Sequence, residues 1–135
     1  MTFDPDKKRQ AFQFLDNTDD LDDKKIEQCF NEHTLSLVGI LLSELTEEEG
    51  LPDQLTQAKF TKLIRELRAI KRMWGRKLGD AIILSGDKAD TGDYETAISI
   101  LSEFIKDCSS LYFRGHAQNQ LLYYKETLKK ATQGE

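Results

Sequence analysis

The stretch Phe60-Thr61-Lys62-Leu63-Ile64-Arg65-Glu66-Leu67-Arg68-Ala69-Ile70-Lys71-Arg72-Met73-Trp74-Gly75-Arg76-Lys77-Leu78-Gly79-Asp80-Ala81-Ile82 sets the fold class. Its apolar residues Phe60, Leu63, Ile64, Leu67, Ile70, Trp74, Leu78, Ala81 and Ile82 return every three or four positions, with two adjacent pairs. That rhythm follows the 3.6-residue turn of an α-helix, not the two-residue alternation of a strand. The spacing predicts one long amphipathic helix that starts near Asp53 or Thr56. Lys59, Lys62, Arg65, Arg68, Arg72 and Arg76 fall mainly off the apolar stripe, on the side left to water. Gly75 and Gly79 are the positions at which such a helix kinks or admits a close neighbour.

The same rhythm continues in both directions. Upstream, Asp4-Pro5 marks a helix start, with Asp as N-cap and Pro at the first helical position, where a missing N–H costs nothing. Ala11, Phe12 and Leu15 follow on a short apolar face, broken by Asn17-Thr18-Asp19-Asp20. A second helix is predicted from about Asp22, with Ile26, Cys29, Phe30, Leu37, Val38, Leu41 and Leu45 on one face. Gly50 and Pro52 fit the stop after it. Downstream, residues 85–92 read as a turn-rich connector. A fourth helix is predicted from about Asp93 to Asp107, with Tyr94, Ala97, Ile98, Leu101, Phe104 and Ile105 turned inward. Cys108-Ser109-Ser110 separates it from a fifth, which carries Tyr112, Ala117, Leu121, Tyr124 and Leu128 and ends near Ala131. Sustained β-branched alternation is absent. The expected architecture is all-α: one domain over residues 1–135, a bundle of about five helices joined by short turns.

A length of 135 residues suits one domain with a core that holds without staples. Two cysteines do not make a disulfide scaffold. No apolar run approaches the roughly 20 residues of a membrane span, and no signal-peptide core follows Met1, so a cytoplasmic protein without a membrane segment is expected. With 24 acids against 19 bases, the net charge of −5 argues against a generic nucleic-acid binder. The charge is uneven, however. Residues 1–50 carry net −8, residues 51–90 net +4 and residues 91–135 net −1. Between Lys59 and Lys77, eight bases face one acid, Glu66.

No catalytic set accompanies these patterns. His33 and His116 form no i, i+3 or i, i+4 pair, so no helical zinc site is indicated. Cys29 and Cys108 sit among apolar residues, the setting of inert thiols. Neither phosphate-cradling glycine motif occurs. The turn from Asp87 to Asp93 lacks the bidentate Glu of a calcium loop, because the twelfth position from Asp87 is Ile98. The chain is therefore expected to be no enzyme and to need no metal or cofactor.

Leu78-Gly79-Asp80-Ala81, followed by Gly92-Asp93-Tyr94-Glu95-Thr96-Ala97-Ile98, resembles a tetratricopeptide repeat, with Trp74 where the first helix of such a repeat places an aromatic. The likeness covers residues 74–109. It implies an antiparallel helical hairpin and a protein-interaction scaffold, set here in a larger helical domain and not in a repeat array.

A protein that binds another protein is the function these features point to. The leading expectation is a bacterial immunity protein or antitoxin, acidic and small, which neutralises a basic toxin by covering its active site. Two acidic clusters would engage that partner: Asp19, Asp20, Asp22 and Asp23, then Glu47, Glu48 and Glu49. One alternative is a repeat-like adaptor that takes a partner's peptide or helix against Tyr112, Tyr123 and Tyr124, since Tyr is enriched at interfaces. Another is a small regulatory nucleic-acid binder that uses Lys59, Lys62, Arg65, Arg68, Arg72 and Arg76. Set against the nucleic-acid reading is an internal use of the charge, in which the acidic second helix with its ends and the basic third complement each other across a surface seam.

Overall fold

The computed structural model describes residues 4–133, which form six α-helices and no strand: α1 (Pro5–Asn17), α2 (Asp23–Gln28), α3 (Glu32–Leu45), α4 (Gln57–Asp90), α5 (Tyr94–Asp107) and α6 (Leu111–Gln133). A turn of 3-10 helix, Thr18–Asp20, follows α1. The fold is the all-α bundle expected. Residues cluster into two compact units, one up to Arg72 and one from Met73. Helix α4 is the last element of the first unit and the first element of the second.

In the N-terminal unit, α1 packs against α3. Ala11, Leu15, Ile26, Val38, Leu41, Leu45, Phe60, Ile64 and Leu67 are all at most 1% exposed. Phe30 meets Phe60 edge-on at 5.3 Å. Each Leu, Ile or Phe so buried contributes roughly 1.5–3 kcal/mol of transfer free energy. The C-terminal unit centres on Ala81, Ala97, Leu101 and Tyr124, surrounded by Tyr94, Ile98, Phe104 and Leu121. Trp74 of α4 meets Phe104 of α5 edge-on at 6.0 Å, which places these helices antiparallel across the short turn at residues 91–93.

Three local expectations are corrected, and each correction has a side-chain or backbone cause. The predicted second helix is two helices, α2 and α3, so the bundle has six helices and not five. Asn31 starts α3 afresh: its side chain accepts from Thr34 N at 2.9 Å, while Thr34 Oγ1 accepts from Asn31 N at 3.1 Å. Thr34 Oγ1 also donates to the Cys29 carbonyl, tying down the break. The seven-residue spacing from Phe30 to Leu37 spans that break without marking it. Second, residues 85–90 continue α4 as helix. The chain reverses only at Gly92, at φ +84°, where Gly92 N donates to Ala89 O at 2.9 Å and Asp93 N to Lys88 O at 2.9 Å. This pair of bonds closes a helix on a left-handed glycine. Third, Ile82 lies off the core and is 39% exposed.

Other ends follow their signals. Asp4 accepts from Asp6 N at 2.9 Å, and Thr56 Oγ1 accepts from Lys59 N at 3.2 Å to begin α4. Thr46 stops α3 ahead of the Glu47–Glu49 run: both its N–H and its hydroxyl donate to Leu42 O. The three glutamates therefore lie beyond the helix, where its C-terminal dipole is a minor cost. At the α5–α6 turn, Arg114 donates to the Cys108 carbonyl from Nε at 3.2 Å and from Nη2 at 2.6 Å. Among the described residues, no helix is long and apolar enough to cross a membrane.

Candidate functional site

Helix α4 puts every third residue along one edge, and Arg65, Arg68 and Lys71 fall on that edge. Opposite them stand Asp23, Asp19 and Asp16. Arg65 Nη2 lies 3.1 Å from Asp23 Oδ2, Arg68 Nε 2.9 Å from Asp19 Oδ1, and Lys71 Nζ pairs with Asp16 Oδ1. Arg68 also donates from Nη1 to the Thr18 carbonyl at 3.0 Å, and its side chain is the most buried of the three bases. The complementary seam is thus internal to the N-terminal unit. It occupies two members of the first acidic cluster and two of the basic stripe.

The remaining charges are placed differently. Asp22 is the N-cap of α2 and accepts from Lys25 N at 2.9 Å; Asp20 is exposed. Lys59, Lys62, Arg72 and Arg76 are exposed and enter no ion pair among the described residues. The same holds for Glu47, Glu48 and Glu49 in the connector after α3. His33 is exposed on α3. Among the described residues, no group of three or more His, Cys, Asp or Glu side chains is placed to hold a metal ion.

The connector after α3 forms a half-open pocket of about 450 Å³ with α3 and α4. Leu42, Leu63, Leu67 and Ile70 supply an apolar floor, Leu51 and Pro52 one wall, and Glu48 and Glu66 the charged rim. No Lys or Arg lines it. Leu51 lies beside Gly39, where an added Cβ would meet it at 4.0 Å in ordinary contact. The Glu47–Glu49 run was visible in the sequence. Its union with Glu66 and an apolar floor was not, because Glu48 and Glu66 are brought together only by packing.

The C-terminal unit has a shallower groove of about 600 Å³ between α4 and α6, lined by Ile82 and Leu78 on one side and Tyr112, Phe113, His116 and Tyr123 on the other. The three expected tyrosines do not share a role. Tyr123 is 60% exposed at the groove, whereas Tyr112 is half-buried with its ring 4.6 Å from that of His116. Tyr124 is 5% exposed and belongs to the core, tilted against Tyr94 at 6.1 Å. Cys108 is buried, and burial pushes its thiol above the usual range; Cys29 is half-buried. No protein-family profile, curated protein or solved structure matches the chain.

Proposed function

We propose that this chain is a non-enzymatic partner-binding protein of the immunity or antitoxin type, which neutralises a basic protein by covering the surface that protein works with. The acid-rimmed apolar pocket of the N-terminal unit carries the reading. An apolar floor under Glu48 and Glu66, beside Glu47 and Glu49, suits a Lys or Arg side chain, whose alkyl stem packs while its charged head stays at the rim. Carboxylates that enter no ion pair among the described residues also steer a basic partner toward the pocket and raise its association rate. Asp19 and Asp23 contribute less than their sequence position suggests, since Arg68 and Arg65 already neutralise them. The same pairs subtract two bases from a nucleic-acid surface, which makes that alternative the weaker one.

The test is a comparison of wild type with a Glu47→Lys/Glu48→Lys/Glu49→Lys variant, each tagged and recovered from the native host at low salt. The reading expects a protein of high isoelectric point with the wild type, lost from the variant and lost as salt rises. That protein, expressed alone, should arrest growth, and coexpression of the wild type should restore it. Equal recovery with both forms, or a recovered protein without toxicity, overturns the reading.

A further inference from the structure

The two rim carboxylates of the pocket between α3 and α4 are held by different means. Glu66 stands on α4, so helical backbone fixes its position. Glu48 stands on the irregular connector after α3 and has no helix beneath it.

Thr46 supplies the missing support. A threonine hydroxyl has one proton to donate and two lone pairs with which to accept. Here the proton goes to the Leu42 carbonyl, and a lone pair accepts from Glu48 N at 3.0 Å. Leu42 belongs to the apolar floor and Glu48 to the rim, so one oxygen joins the two. Among the described residues, this is the one hydrogen bond between a side chain and any residue from Glu47 to Leu55. The end of α3 does not depend on it. Thr46 N also donates to Leu42 O, at 3.0 Å, and that backbone bond closes the helix. Glu48 is exposed, so without the hydroxyl its N–H would bond to water. The particular effect of the hydroxyl is therefore the placement of Glu48 against the floor.

We propose that Thr46 is the positioning residue of this pocket: its hydroxyl sets Glu48 over the apolar floor, so that the pocket selects a basic side chain over a neutral one of the same shape. The inference rests on the reading of the pocket as the seat of a basic partner. A carboxylate already in place meets a charged head without the ordering cost of a loose connector.

The test is amide NMR of the isotope-labelled full chain, titrated with N-acetyl-arginine amide or with its neutral counterpart, N-acetyl-citrulline amide. The amides of Leu42, Glu48, Leu51 and Glu66 report on the pocket. Wild type should bind the arginine probe in preference to the citrulline probe. Thr46→Val keeps the side-chain shape and the backbone bond to Leu42. It should weaken arginine binding about two- to tenfold, the worth of one hydrogen bond, and leave citrulline binding unchanged. Thr46→Ser restores the hydroxyl and should bind as wild type does. Hydrogen exchange at the Glu48 amide should be slow in wild type and Thr46→Ser and fast in Thr46→Val. Glu48→Gln should abolish the preference for arginine. If Glu48→Gln abolishes it and Thr46→Val does not, the positioning role is overturned and the pocket reading stands. Equal weakening of both probes by Thr46→Val, or failure of Thr46→Ser to rescue, overturns the positioning role as well. A wild type that does not distinguish the probes, or a preference that survives Glu48→Gln, overturns the pocket reading and this inference with it.

Discussion

The two units solve the same problem with different chemistry. The ion pairs among the described residues all lie in the N-terminal unit: Lys8–Glu44, Arg9–Asp6, Arg65–Asp23, Arg68–Asp19 and Lys71–Asp16. The C-terminal unit packs Trp74 edge-on against Phe104 and Tyr94 tilted against Tyr124, and leaves Met73, Ile82, Ile83, Leu84, Leu111, Leu122 and Tyr123 exposed. Leu51 is the sole large exposed apolar residue of the first unit among those described. A charged seam orients helices and is weakened by salt, whereas an apolar surface left open is a place for another chain. The difference leaves the charged rim on which the proposed function rests in one unit and an open apolar surface in the other.

The comparison breaks most readily at the cores. Phe60→Ala should destabilise the N-terminal unit by about 3–5 kcal/mol, and Leu101→Ala the C-terminal unit by about 2–5 kcal/mol, since both are fully buried. Urea titration followed by the fluorescence of Trp74, the only tryptophan, reports on the C-terminal unit directly. Helical circular dichroism follows both units. The charged seam comes next. Arg68→Ala should cost about 1.5–3 kcal/mol, because a half-buried guanidinium loses a carboxylate and a carbonyl together. Arg65→Ala should cost less than about 1 kcal/mol, because both partners are more than half exposed. That smaller effect should shrink further in 1 M salt, where screening reaches about 3 Å. Equal costs at the two positions would show that burial does not grade the seam.

Asn31→Ala removes the cap that divides α2 from α3 and should cost about 1 kcal/mol by the same titration. Two smaller effects sharpen the contrast at single groups. Hydrogen bonds from Thr96 hold the Asp93 carboxyl below the usual carboxylate range. A depressed folded-state pKa stabilises at pH above the unfolded value, and that contribution is lost as pH falls through the folded one. Asp93→Asn should therefore flatten part of the acid limb of a pH–stability curve. A thiol reagent should modify Cys29 before Cys108, whose thiol is buried and raised in pKa, and mass spectrometry of the labelled peptides gives the order.

The sequence by itself determined the helical class and most helix ends. These depend on local quantities: apolar spacing along α4 and the caps at Asp4, Thr56 and Asp93. It missed the break at Asn31 because apolar spacing records a face and not the continuity of hydrogen bonds beneath it. It read residues 85–90 as a turn because Ser, Gly and Asp favour turns on average, yet none of them forbids a helix that packing supports.

Tertiary structure alone decided which charges meet. Asp16, Asp19 and Asp23 stand about fifty residues from Lys71, Arg68 and Arg65, and no periodicity in either segment states the register between them. The sequence could only raise the seam as one option for the charge. Packing also sorted the tyrosines, sending Tyr124 inward and Tyr123 outward because neighbours on a helix point about 100° apart. It joined Glu48 to Glu66 over one apolar floor. A helix is a local agreement among neighbours along the chain, but a surface is assembled from elements whose spacing in sequence says nothing of their distance in space.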